Sequence, residues 1–268
     1  MPIVPLDRIK QRTEEQFHEL DYRIMSLAFA VQNELGRLYE EGVYKNELSH
    51  RLLKSGIDSR REFQVRLMHG TFEKDYFIDL LVDGGVVYEA KVASALTGCH
   101  RTQTLNYLFL TNTHHGKLLN FRPVEVEHEL VSTQLRLETR RQVQILDGDW
   151  QSVDRESARF KEIVTALVLD WGACLSLDAY REAAIHFFGG SAEVCREEEL
   201  IYEGRPIGMH AVNHLTPNTI FAFSAIGEGI SAMRKQLQKL LNMTRQKNLQ
   251  WVNLHLQKLQ FTTLIRDT

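Results

Sequence analysis

Residues 78–91, IDLLVDGGVVYEAK, decide how the rest of the chain is read. An apolar run ends at Val82, Asp83 to Gly85 supply a turn in which glycine tolerates positive φ, and a second run leads from Val86 to Lys91. That is the pattern of a β-hairpin. Successive side chains of a strand point to opposite faces, so Glu89 and Lys91 share one face while Tyr88 and Ala90 take the other. Asp79 stands among Ile78, Leu80 and Leu81, where a carboxylate is costly unless it is paired or binds a metal. Two carboxylates and a lysine on adjoining strands form a site for a hard cation and a water. The same letters also arise as a solvated Glu–Lys ion pair of little worth, so the surrounding pattern has to decide.

The chain has 268 residues, 43% hydrophobic and 25% charged, enough for one large domain or two modest ones. Its formal net charge of −3 excludes a polycationic surface, so any contact with a polyanion is local. Cys99, Cys174 and Cys195 are scattered and lack C-x-x-C spacing, which argues against a disulfide scaffold or zinc site and for a reducing compartment. Residues 1–20 lack the apolar core of a signal peptide, and no apolar run reaches membrane-spanning length. The expectation is a cytoplasmic protein with no membrane partner.

Around the hairpin the apolar periods alternate between helix and strand. Ile24, Ala28, Val31 and Leu35 recur on one helical face from about Leu20, and Gly36 breaks the run. A second helix is expected from Glu41 to Lys54, with Glu41, Tyr44, Leu48 and Leu52 on one stripe. Glu41 then faces the core side, or serves as a carboxylate favoured by the helix dipole. The run RREFQVRLMHG reads as a strand carrying a basic patch, Arg60, Arg61 and Arg66, either for phosphates or as solvated charge. After the hairpin, a helix from about Thr97 to Phe109 aligns His100, Gln103 and Tyr107, and Lys117 to Phe121 forms a further short strand. The order is α, β, β, β, α, β, the pattern of an α/β sandwich.

This block, from ELGRLYEEGVYKNEL through DYFIDLLVDGGVVYEAK and HRTQTLNYL to LLNF, resembles the GxxExxY proteins of the PD-(D/E)XK nuclease superfamily. Glu41 and Tyr44 match the ExxY, Asp79 the first acidic position, Glu89 and Lys91 the E-x-K, and Gln103 with Tyr107 the Q-x-x-x-Y of the next helix. Leu38 stands where the name-giving glycine is expected, with Gly36 close by, and Ile78 replaces the proline that often precedes the aspartate. The resemblance covers roughly the first half and implies a restriction-endonuclease-like αβββαβ core. It further implies a Mg²⁺-dependent nuclease, with Mn²⁺ as a substitute ion, acting on DNA or RNA. Asp79, Glu89 and the Ala90 carbonyl would be metal ligands, with Glu41 completing the acidic cluster. Lys91 would orient the attacking water or stabilise charge, Gln103 would steady the water or a phosphate oxygen, and Tyr107 would pack. The other reading is a nucleic-acid or protein interaction module that keeps this fold without catalysis.

In the second half, residues from Gly204 lie without a gap over those from Gly70, which sets Asn213 under Asp79, Phe223 under Glu89 and Ala225 under Lys91. Tyr180 sits like Tyr44, His186 like His50, and Gln236 and Asn253 like Gln103 and Asn120. The expectation is an internal duplication, 1–146 with an intact site and 160–268 as a degenerate copy, joined by a linker between Asp147 and Lys161. One chain then has one hydrolytic centre, and two chains as a homodimer are needed to cut both strands of a duplex. His210 and His214 fall on a strand, without the helical geometry of a zinc pair. Trp171, Trp251, Phe187 and Phe188 are expected as core or interface aromatics. LRLETRRQ, Leu135 to Gln142, is basic and reads as a solvated face or a phosphate contact.

Overall fold

A computed structural model describes residues 2–267, which form two six-stranded mixed sheets with helices packed on them. The chain divides into two units, Met1–Leu137 and Glu138–Thr268. Among the described residues no helix is long and apolar enough to cross a membrane.

The first unit runs β1 (Ile3–Pro5), α1 (Glu14–Leu35), α2 (Glu41–Lys54), β2 (Ser59–His69), β3 (Phe72–Val82), β4 (Val86–Lys91), α3 (Gly98–Thr111), β5 (His115–Asn120) and β6 (Glu127–Ser132). Its strands lie in sequence order, all neighbours antiparallel except β4 and β5, which α3 joins as a parallel crossover. The first helix starts earlier than its apolar period, because Thr13 and Gln16 close a capping box ahead of Glu14. Gly36, at φ +76°, ends it. Phe17, Ile24, Ala28 and Val31 of α1 pack with Tyr44, Leu48 and Leu52 of α2 onto Leu80, Val82, Tyr88, Ala90 and Leu119. That core takes one phase of each strand and leaves Asp79, Glu89 and Lys91 in the other. The hairpin turns at Asp83 (φ 48°) and Gly84 (φ 67°), and a Cβ on Gly85 would stand 2.2 Å from the Lys10 carbonyl oxygen. No side chain fits there.

A short helix α4 (Leu137–Arg140) starts at the last residue of the first unit, and the second unit continues with β7 (Gln144–Asp149), α5 (Arg155–Trp171), α6 (Leu177–Phe187), α7 (Ser191–Val194), β8 (Cys195–Tyr202), β9 (Arg205–Thr216), β10 (Thr219–Ser224), α8 (Ile230–Met243), β11 (Asn248–His255) and β12 (Lys258–Ile265). The sheet order is β7-β12-β11-β10-β9-β8. From β8 to β12 the succession and pairing directions are those of β2 to β6, including a parallel β10–β11 pair spanned by α8.

Three expectations require correction. The division falls between Leu137 and Glu138, before the expected linker, because β7 pairs in parallel with β12. All six residues of β7 are exposed, so the strand carries no apolar period to betray it, and α5 begins within the expected linker under an Asp154 cap. The basic run 135–142 is no solvated face at its centre: Arg140 is fully buried, with its guanidinium on the Trp171 and Ala173 carbonyls.

The third correction is the overlay of the two halves, which shifts by one residue. Asn120 accepts from the Ala93 amide at 3.0 Å and donates to its carbonyl at 2.9 Å, and Asn253 does the same to Ile226 at 2.9 and 3.0 Å. Lys91 pairs with Asn120 across one parallel ladder and Ser224 with Asn253 across the other. The strand registers then set Val212, Ala222 and Ser224 at the positions of Asp79, Glu89 and Lys91. Phe223 corresponds to Ala90 instead, and its ring lies 5.8 Å from that of Phe160 on α5. A one-residue slip turns every side chain of a strand to the other face.

Candidate active site

The hairpin strands bring the expected residues together through the backbone itself. Asp79 is 7% exposed and accepts a 3.0 Å hydrogen bond from the Ala90 amide through Oδ2. Its Oδ1 accepts from the Lys45 ammonium at 2.8 Å. Glu89, 1% exposed, accepts from Lys91 Nζ through Oε1 at 2.6 Å, while its buried Oε2 has no partner among the described residues. Glu41, in the first turn of α2, lies 3.4 Å from Lys45 Nζ, and Glu62 of β2 lies 2.8 Å from the same ammonium.

The electrostatics follow from this crowding. Burial first, and then the Asp79 charge, push the Glu89 carboxyl up to about 8, against the opposing pull of Lys91. Burial and the Glu89 charge push the Tyr107 hydroxyl up to about 12. Partial burial disfavours the Lys45 ammonium, but its hydrogen bonds to Asp79 and Glu62 outweigh that cost and raise its pKa. Glu89 is therefore a buried carboxyl that Lys91 meets at one oxygen only and whose charged form the site disfavours.

Other expected residues stand differently. Gln103 is exposed and donates to the Tyr107 hydroxyl at 3.1 Å, and His100 accepts from the Thr97 amide as part of the α3 cap. Arg60 is paired with Asp7 and Asp58, and Arg66 with Glu73 and Asp75, so this basic patch is largely spent on neighbouring carboxylates. Sequence reasoning missed Lys45 and Glu62. Lys45 had a signal, its i,i+4 spacing from Glu41. Glu62 had none, because it reaches the cluster through the β2–β3 register, which sets Arg61 against Leu80 and Phe63 against Ile78 on either side of Asp79.

The donor set suits a hard cation: carboxylate oxygens, no sulfur, and one buried oxygen left over. Among the described residues no three His, Cys, Asp or Glu side chains are already gathered as a metal cage. Ammonium groups occupy part of that space instead, Lys45 on Asp79 and Lys91 on Glu89.

Residues 18–145 match the sequence model of the PD-(D/E)XK nuclease superfamily. The match begins in α1 and takes in β2, β3, β4, α3 and β5, so every residue of the cluster lies within it. It supports a nuclease-like first unit, in a superfamily whose members are typically nucleases that use divalent metal ions and many of whose members are non-catalytic. No curated protein matches the chain.

Proposed function

We propose that the first unit is a Mg²⁺-dependent nuclease of the GxxExxY kind, with an αβββαβ core and one hydrolytic centre at Asp79, Glu89 and Lys91. The second unit is then a degenerate copy of the same fold. The observation that carries the reading is Glu89: a carboxyl 1% exposed, with one oxygen on Lys91 and the other without a partner among the described residues, is a group that a bound cation would complete. Asp79, Glu89 and the Ala90 carbonyl would hold the ion, with Glu41 at its edge. A bound Mg²⁺ supplies an activated water and neutralises charge on the phosphate. Lys91, anchored on Glu89, orients that water and offsets charge on the phosphate oxygens. Gln103, held by Tyr107, is the exposed amide that meets a phosphate oxygen. With one centre per chain, a duplex is nicked unless two chains assemble.

The other reading, an interaction module without catalysis, draws on Lys45, which already meets the charge of Asp79. Incubating the pure protein with single- and double-stranded DNA and RNA, with Mg²⁺, Mn²⁺ or chelator, separates the two. Cleavage that needs the ion and vanishes in Asp79→Ala supports the nuclease. Equal residual activity in wild type and Asp79→Ala leaves the binding module.

A further inference from the structure

We infer that Lys45 is a built-in cation that holds the acidic centre together without metal and competes with the divalent ion for Asp79. The inference rests on the metal-dependent reading above and concerns how that site is loaded. One ammonium meets three carboxylates, Asp79 at 2.8 Å, Glu62 at 2.8 Å and Glu41 at 3.4 Å, with a side chain only 13% exposed. The Ala90 amide donates to Oδ2 of Asp79 and Lys45 to Oδ1, so both oxygens already accept one hydrogen bond, and an ion on Oδ1 meets the ammonium. A Mg²⁺ bound there would sit about 2.0–2.1 Å from that oxygen. An ammonium on the same oxygen would stand within about 4 Å of a doubly charged ion, a strong repulsion in a half-buried site.

The two lysines of the centre thus differ in effect. Lys91 binds one oxygen of Glu89 and leaves the other without a partner among the described residues, whereas with Lys45 in place both oxygens of Asp79 accept a hydrogen bond. Lys45 also has somewhere to go. Glu62 is 57% exposed and already shares the ammonium, and the flexible four-carbon stem allows Lys45 to give up Asp79 while keeping Glu62. Loading the ion therefore exchanges one cation for another, and the lysine sets the concentration of metal needed.

The test is direct metal binding by the full chain, without nucleic acid: Mn²⁺ by electron paramagnetic resonance and Mg²⁺ by calorimetry. The proteins compared are wild type, Lys45→Met, Lys45→Arg and Asp79→Asn, with Lys45→Gln in place of Lys45→Met should that variant not fold. Lys45→Met is expected to bind about tenfold more tightly than wild type, an ordinary coupling between two sites. Lys45→Arg keeps the charge and stays within a few-fold of wild type, and Asp79→Asn loses binding. Without metal, Lys45→Met melts below wild type, and saturating Mg²⁺ raises its melting temperature by more. Equal or weaker binding by Lys45→Met, with Asp79→Asn still inactive in binding, overturns the competitor role and leaves the metal site standing. No binding by any of the proteins overturns both.

Discussion

The acidic centre of the first unit and the corresponding place in the second occupy the same address in two similar sheets, with opposite contents. In the first, Asp79, Glu89 and Lys91 are buried or nearly so and still charged or titratable. In the second, Val212, Ala222 and Ser224 stand there, and Val212 and Ala222 pack with Trp251 and Leu249 against Leu237 and Leu241 of α8. Trp251 donates its indole N–H to Ser224 Oγ at 2.9 Å, and that hydroxyl donates to Asn253 at 2.7 Å, so the last polar atom is satisfied internally. The scaffold needs none of the charges. Its shared supports are elsewhere: the asparagine clamps, and a tyrosine whose hydroxyl donates to a glycine carbonyl eight residues earlier, Tyr44 to Gly36 and Tyr180 to Gly172. Buried carboxylates are expensive, and the second sheet stands without them.

The largest effect expected from this contrast is on cleavage. Asp79→Ala or Lys91→Ala should lower the rate by about three powers of ten, the several kcal/mol that a positioned cation and its partners supply. Ser224→Ala, at the place of Lys91 in the second unit, should leave the rate within about twofold. A comparable loss in Ser224→Ala would break the comparison.

Stability should show the reverse asymmetry. Trp251 is 1% exposed and fills the second unit at the level where the first carries its charges. Trp251→Ala should cost about 3–5 kcal/mol by denaturant unfolding. Loss of less than about 1 kcal/mol would mean that the place is not packed as described.

The asparagine clamps sharpen the likeness of the two units. Each holds both polar groups of one backbone residue, so Asn120→Ala and Asn253→Ala should each cost about 1–3 kcal/mol. Asn120→Ala should in addition weaken cleavage, because Ala93 lies two residues beyond Lys91, just past the end of its strand. Widely different stability losses would undo the correspondence.

The smallest effect is on the pH dependence of the metal-free protein. The Glu89 carboxyl is raised from 4.5 to about 8, so the folded state holds its proton more tightly than the unfolded chain. The stability this contributes is complete below about pH 4.5 and is lost as the pH rises to about 8. Glu89→Gln cannot ionise, so the difference in melting temperature between wild type and Glu89→Gln should turn against wild type by a few degrees across that window. Mg²⁺ should reduce the loss. A difference independent of pH would show that Glu89 ionises normally.

The hairpin, the stripe of α2, the helix carrying Gln103 and Tyr107 and the alternation of Glu89 and Lys91 were all legible in the sequence, because each depends on local periods and on the glycines of one turn. So was the likeness of the two halves, through Tyr44 and Tyr180 or Asn120 and Asn253. What lay beyond the sequence depended on partners distant along the chain. The overlay by eye ran one residue out of register, since the hydrogen bonds of Asn120 and Asn253 and the strand ladders tell which face Phe223 takes. The exposed strand β7 is defined by its partner β12, and Arg140 is buried because Trp171 and Ala173 offer carbonyls. Lys45 and Glu62 join the acidic centre only once α2 and β2 are brought to Asp79. Local periodicity determined which elements form and which residues carry charge. Tertiary packing decided which charges meet, because a carboxylate's partner is chosen by distance in space and not by spacing in the chain.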